Sequence, residues 1–306
     1  MKFLTGFEPL CSKDVHDFLP ECHPNFVVLF SEKNNISKDS FLVFEISVVL
    51  PVYKPGKYLL DCFNSLDKQT LTKEHFCVYI GLNGPKDNYE NMVFHYLTEV
   101  KFNYKYFYIP TSGVSNARNH LLDASDSQFL VFLDDDDLIS PSYLEELMKV
   151  TDSATMGLAN IINFKDSLSN SFENYIGRSF VKLPPTGSSK LLYRKYFSSP
   201  CAKMLHRDMV KDVRFDTQLA RGEDGLFMTT ISKNIATFAK CNNDAIYYVN
   251  HRQNSASRST VNRLLEIKRV LYLVGKCSKL LFAPGYSFVF IITRILATIR
   301  HLKKLF

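Results

Sequence analysis

Gln128-Phe-Leu-Val-Phe-Leu-Asp-Asp-Asp-Asp137 decides how this chain is read. A short apolar run, Phe129 to Leu133, leads directly into four acids. Such a run ending at a turn reads as a buried strand. Adjacent carboxylates at its end repel one another unless a cation neutralises them. A divalent metal does this, since Mg²⁺ takes one or two carboxylates and completes its shell with water and phosphate oxygens. Asp134 and Asp136 have the spacing at which one acid can hold a ribose and the other the metal. The plainer alternative is a solvated acidic turn that caps the next helix.

Upstream, three more strands fit the same pattern. Ile46-Ser-Val-Val-Leu50 stops at Pro51, Phe76 to Leu82 is closed by Asn83-Gly84-Pro85, and Tyr104 to Ile109 is stopped by Pro110. Helical spacing fills the gaps: Lys57 to Gln69, Asn88 to Val100, and Ser115 to Ala124 with Ser115 suited to its N-cap. Alternating strand and helix with short turns predicts an α/β fold, a mostly parallel sheet flanked by helices. Ligands on such sheets sit at the carboxyl ends of the strands. The expected site is therefore Pro51–Lys54, Leu82–Gly84, Pro110–Val114 and Asp134–Asp137.

Downstream the pattern loosens. Ser142 to Val150 and Glu223 to Lys233 read as helices; Ala154 to Phe164 and Ala236 to Val249 read as strand-bearing. Lys165 to Pro200 reads as an irregular polar stretch suited to an acceptor-side loop. Val261 to Phe282 reads as a long helix with Leu264, Leu265, Ile267, Val270, Leu271 and Val274 in one stripe. Residues 1–44 form an N-terminal extension of unassigned role in which Phe26 to Phe30 has strand character.

Three further segments carry candidate chemistry. Glu223-Asp224 follows Arg221-Gly222; such a pair either complements a helix dipole or supplies a base that metal-binding acids cannot. His251-Arg-Gln-Asn-Ser-Ala-Ser257 offers a cation and hydroxyls to a leaving diphosphate, or is a surface loop. Thr111 to Asn119 puts Gly113 in a loop and Arg118 early in a helix, within reach of a phosphate or of the acid cluster.

Bulk properties narrow the classes. Of 37 basic and 31 acidic residues, eight basic and no acidic ones lie between Ile267 and Phe306. The body is thus near neutral and the tail basic, unlike a nucleic-acid reader with a charged folded face. Seven scattered cysteines lack zinc or redox spacing and suit a reducing compartment. Met1 to Leu10 does not read as a secretory signal, so a cytoplasmic location is expected.

In order, Ser47-Val-Val-Leu-Pro-Val-Tyr53, Ser65-Leu-Asp-Lys-Gln-Thr70, Gly113-Val-Ser-Asn-Ala-Arg-Asn119, Phe132-Leu-Asp-Asp-Asp-Asp137, Pro200-Cys-Ala-Lys-Met-Leu-His-Arg207 and Gly222-Glu-Asp224 resemble the inverting family 2 glycosyltransferases of GT-A fold. The resemblance covers about residues 46–258 and points to the bacterial surface-polysaccharide or lipooligosaccharide type. It implies a catalytic domain at 45–260 and C-terminal helices at 261–306. It implies Asp224 as catalytic base with Glu223 beside it, and Pro51, Val52 and Tyr53 lining the base pocket. Asn83, Arg118, Asp134 and Asp135 fall to the nucleotide-sugar, Asp136 and Asp134 to a Mn²⁺ or Mg²⁺ ion, and Arg252, Ser255 and Ser257 to the diphosphate. The implied partners are a nucleotide-sugar donor and a glycan or lipid-linked glycan acceptor. The chain departs from the family where many relatives carry acids, at Leu82-Asn83, so GDP, dTDP and CMP donors stand beside UDP.

Two other readings compete. A sugar nucleotidyltransferase also uses acids at strand ends, but the first turn, Val52-Tyr-Lys-Pro-Gly56, is a poor match to its Gly-rich basic loop. A non-catalytic polysaccharide-assembly module would not need both acid clusters. Finally, Tyr286 to Ile299 is apolar, interrupted by Arg294 and followed by a basic end. It is too short to span a bilayer comfortably and fits a helix lying on the inner leaflet, or one packed on the domain.

Overall fold

In the computed structural model, which describes residues 29–30, 44–252 and 262–300, strand and helix alternate from the start. The order runs β1 (Leu29–Phe30), β2 (Ile46–Val52), α1 (Tyr58–Asp67), β3 (Phe76–Asn83), α2 (Tyr89–Leu97), β4 (Asn103–Ile109), α3 (Val114–Ala124) and β5 (Phe129–Phe132). There follow β6 (Leu138–Ile139), α4 (Tyr143–Val150), β7 (Thr155–Leu158), β8 (Asn160–Lys165), β9 (Ser167–Glu173), α5 (Gly177–Lys182), β10 (Thr186–Gly187) and β11 (Lys203–His206). The rest is α6 (Arg207–Val210), α7 (Glu223–Ile231), β12 (Thr237–Lys240), β13 (Ile246–Asn250), α8 (Arg263–Leu281) and α9 (Phe288–Arg300).

The main sheet has the order β1-β4-β3-β2-β5-β11-β7-β12-β10. Its heart, β4-β3-β2-β5, is parallel. Beyond it β11 runs antiparallel to β5 and β7, and β1 and β10 are antiparallel margins. A smaller sheet, β6-β13-β8-β9, stands beside it. Every residue of β2 and β3 is buried, as a sheet covered on both faces requires. Helix α3 covers one face through Ala117, Leu121 and Leu122. All carboxyl ends of the parallel strands therefore open on one edge.

The structure revises several local expectations. Gly113, at φ +136°, turns the chain into α3 two residues before Ser115; the buried Ser115 hydroxyl caps nothing and has no hydrogen-bond partner. The stretch 165–200 is not irregular throughout: β9 pairs antiparallel with β8 while exposing every residue, so its polar sequence hid a strand. Helix α8 buries Glu266, Val270, Leu273 and Cys277, whereas Leu264, Leu265 and Leu271 are exposed. The helix leans on α7 and α9 through a narrow face rotated away from the leucine-rich one. Helix α9 packs on the domain through Phe290, Ile291 and Ile295, with the Phe290 ring 4.7 Å from that of Phe197. Cys62, Cys77, Cys201, Cys241 and Cys277 are free and buried, as small apolar fillers.

Candidate active site

Hydrogen bonds knit the four expected strand ends together. Asn83, at the end of β3, donates to the Val52 carbonyl at 2.8 Å and accepts from Gly113 N–H at 3.0 Å. Tyr53 N–H donates to Asp135 at 3.1 Å. Gly84, at φ +90°, reverses the chain after β3 and donates to the Ile109 carbonyl. Two expectations change here. Asn83 is buried with each amide end bonded to backbone, so it braces the edge. Val52 is fully buried and Pro51 is buried too, which leaves Tyr53 as the exposed side chain of that trio.

The acid tetrad is divided between two tasks. Asp135 and Asp137 turn inward, accepting from the backbone N–H of Tyr53 and, at 2.8 Å, of Asn250. Burial and the neighbouring Asp136 push the Asp135 carboxyl up to about 8, while burial and the same neighbour raise Asp137 well above its usual range. Asp135, expected on the nucleotide, also ties the end of β2 to the turn through the Tyr53 N–H. Asp134 and Asp136 keep 40% and 15% of their side-chain surface and each meets an arginine. Arg118 Nη2 lies 2.8 Å from Asp134, and Arg252 Nε 2.5 Å from Asp136. Arg252 also stacks 4.0 Å from the centre of the Tyr58 ring. Ser255 and Ser257 lie outside the described residues.

The second acid pair opens α7. Gly222 at φ +85° turns the chain so that Glu223 and Asp224 occupy the first helical turn. Arg118 Nη1 lies 2.6 Å from Asp224, which retains 23% of its side-chain surface. One buried guanidinium therefore joins the end of β5 to the start of α7. Burial works against its charge, but Asp224 and Asp134 more than offset it, so it stays protonated. Asn119, one residue on, clamps the Phe215 backbone with bonds of 2.9 and 2.7 Å, and Arg118 lies over the Phe215 ring. Burial raises the Asp224 carboxyl, Arg118 opposes that, and Asp134 adds to it. Burial and Asp224 push Glu223 to about 7, and its buried Oε2 has no hydrogen-bond partner.

Lys203 was not singled out by sequence reasoning. It is almost fully buried in β11, donates to the Ser199 and Cys201 carbonyls at 2.5 Å, and is pulled down to about 7 by burial, with Asp224 opposing. The signal was present, a lysine opening the short strand Lys203-Met-Leu-His206. It lines a cavity of about 190 Å³ together with Asp134, Asp137, Ser198 and Tyr247.

The donor set suits a hard cation. Asp134 and Asp136 offer carboxylate oxygens that arginines now satisfy, and such pairs accept Mg²⁺ or Mn²⁺ when phosphate and water complete the shell. Among the described residues no group of three or more ligating side chains converges on one point, so phosphate would have to share the ion.

The family model described as glycosyl transferase family 2 matches residues 47–214, more than half of the chain. The chain belongs to glycosyl transferase family 2. This family member is 26% identical over 204 residues to the minor teichoic acid biosynthesis protein GgaB of Bacillus subtilis, covering 61% of this chain and 21% of that one. It is 24% identical over 239 residues to the poly(ribitol-phosphate) β-N-acetylglucosaminyltransferase TarS of Staphylococcus aureus, covering 76% of this chain and 40% of that one. The transferase therefore spans less than half the length of either relative. Its fold is the GT-A fold of S. aureus TarS 1-349, solved with UDP-GlcNAc: TM-score 0.67, 21% identity, 85% of this chain and 73% of that one. The mannosyltransferase PcManGT of Pyrobaculum calidifontis, solved with GDP-Man and Mn²⁺, aligns at TM-score 0.54 and 13% identity over 85% of this chain and 70% of that one.

Proposed function

We propose that this chain is an inverting hexosyl- or N-acetylhexosaminyltransferase of cell-surface polysaccharide synthesis. It takes the sugar from a nucleotide-diphosphate sugar, UDP-sugars first, and places it on a hydroxyl of a glycan or lipid-linked glycan. The observation that carries this is the single Arg118 guanidinium between Asp134 and Asp224. It sets a donor-side acid and a candidate base, far apart in sequence, around one spot.

Asp224 is the base. Arg118 favours its ionised form, and its partial exposure lets an acceptor hydroxyl reach it. The proton moves to Asp224 as the hydroxyl oxygen attacks the anomeric carbon opposite the nucleotide, inverting configuration. Tyr53 presents its ring for a nucleotide base at the end of β2, and Arg252 stands where a leaving diphosphate gains charge. A divalent cation held by Asp134 and Asp136 would lend Lewis-acid charge to that diphosphate. The solved relatives, TarS with UDP-GlcNAc and PcManGT with GDP-Man and Mn²⁺, support a nucleotide-diphosphate donor and such an ion.

Residues 45–260 form the catalytic unit in this reading, with 1–44 and 261–306 as appendages. No helix of the described residues is long and apolar enough to cross a membrane. Leu264, Leu265 and Leu271 of α8, Phe282, and Phe288, Val289, Leu296 and Ile299 of α9 are exposed in a segment rich in lysine and arginine. That combination supports peripheral contact with an anionic inner leaflet.

The deciding experiment is a thermal-shift screen of nucleotide-sugars with Mn²⁺, followed by transfer assays of Asp224→Asn. A bound donor raises the melting temperature by mass action. The variant should bind donor and fail to transfer; transfer at the wild-type rate would remove Asp224 from the base role.

A further inference from the structure

Three alternate carbonyls of one irregular segment accept from cations. Phe197 O accepts from Arg294 of α9 at 3.0 Å, and Ser199 O and Cys201 O accept from the Lys203 ammonium at 2.5 Å each. The segment has little means of satisfying these groups itself. Residues 198–201 join no strand or helix, Pro200 has no N–H, and Ala202 at φ +61° turns the chain into β11. Ser198, Ser199 and Cys201 line the cavity of about 190 Å³ that Asp134 also lines. The buried Cys201 thiol lies in the field of Asp134, Arg118 and Asp224.

A lysine is a demanding way to hold two carbonyls. Water or a hydroxyl could donate to them without burying a charge, whereas an ammonium taken out of water loses its hydration. Lys203 is only 1% exposed, and the centre of the Tyr196 ring stands 5.7 Å from its Nζ. Burial lowers its pKa, and Cys201 and Asp224 oppose that. The influence is mutual: after Arg118, Lys203 is the cation that favours an ionised Asp224. Arg118 divides its charge between Asp134 and Asp224 from α3, while Lys203 acts from β11.

We propose that Lys203 is a positioning residue for transfer: its ammonium fixes Ser199–Cys201 as a wall of the cavity that Asp134 lines and supplies Asp224 with a cation separate from Arg118. The inference rests on the transferase reading, with Asp224 as base, and adds a residue that acts through that base. Removing the cation disfavours the ionised carboxyl, so Asp224 would take up its proton at higher pH. Arg118, Asp134, Glu223 and Cys201 also act on Asp224 and stay in place when Lys203 is changed. On the acidic side of pH 7 Lys203 is itself charged, so its effect is present where Asp224 titrates.

The test uses the full chain with Lys203→Met, which keeps the apolar stem without the charge. Lys203→Gln is made beside it, so that the outcome does not hang on how one side chain fits. Alkylation by N-ethylmaleimide is mapped by mass spectrometry. In both variants Cys201 should react about tenfold faster or more, while Cys62, Cys77, Cys241 and Cys277 stay as protected as in wild type. With UDP-GlcNAc and Mn²⁺, release of UDP should slow by about tenfold or more, with UDP affinity unchanged. The acidic limb of its pH profile should move to higher pH. Cys201 reacting at the wild-type rate, or Cys62 and Cys77 reacting along with it, overturns the positioning of the segment. An acidic limb at the wild-type pH overturns the pairing with Asp224. Wild type that binds neither UDP nor UDP-GlcNAc counts against the UDP-sugar reading instead, and the Cys201 rates still decide the segment.

Discussion

Arg118 and Asp224 meet at 2.6 Å although 106 residues separate them, and the same guanidinium holds Asp134 at 2.8 Å. Removing one partner of a buried charge cluster strands the others. Arg118→Ala is expected to cost about 3–5 kcal/mol of stability. It should also lower transfer by about a hundredfold, the scale of a misplaced catalytic group. Arg118→Lys keeps the charge but not the fork that reaches two carboxylates, so it should stay near the alanine level. Urea unfolding and initial rates measure both effects. A lysine variant with wild-type turnover would show that charge alone suffices.

Glu223 predicts a pH dependence with a definite sign. Its folded-state value of about 7 stands above the ordinary 4.5. Between these values the native state holds a proton that the unfolded chain has released. Stability from this group is therefore complete below pH 4.5 and lost as pH rises through about 7. The gap corresponds to on the order of 3 kcal/mol. Glu223→Gln should remove that loss, so the variant should exceed wild type in stability at pH 8 and match it near pH 4.5. Asp135 contributes the same sign in both proteins and cancels in the comparison. Parallel unfolding curves at pH 5 and 8, with equal changes in the two proteins, would exclude this role.

Much of the fold was legible because its chemistry is local. β2, β3 and β5 are short apolar runs that pair where such runs should, although β2 runs through Pro51 to Val52 instead of stopping at the proline. The acid clusters were legible because adjacent carboxylates cannot rest in a core unaided. What escaped depends on contacts between distant segments. Asn83 looked like a ligand donor and is consumed by Val52 and Gly113. The leucines of α8 suggested a buried stripe, yet the face chosen by α7 and α9 holds Val270, Leu273 and Cys277. Arg269 and Arg294 looked like ordinary basic residues of a tail until packing set them against Gly222 and Gly225.

Arg252 and Asp136, 2.5 Å apart, predict how a metal enters. A cation must compete with the arginine for the same carboxylate. Arg252→Ala should therefore bind Mn²⁺ at least as tightly as wild type while turning over more slowly, since the diphosphate loses a partner. Asp136→Asn should weaken Mn²⁺ by about tenfold or more. EDTA should abolish transfer and added Mn²⁺ should restore it. Titration by electron paramagnetic resonance reads the affinity, and undiminished turnover in chelator would count against the ion.

The last prediction separates two roles of the C-terminal helices that truncation would confuse. Phe290 is fully buried against Phe197, so Phe290→Ala should cost about 3–5 kcal/mol. Deleting 283–306 would strip that core and is expected to destabilise the chain whether or not it meets a membrane. Leu264, Leu271 and Leu296 are exposed, so changing all three to Gln should leave the melting temperature within a few degrees. The same triple variant should lose sedimentation with vesicles rich in anionic lipid. Partitioning equal to wild type, at unchanged stability, would assign those leucines to a surface other than a bilayer.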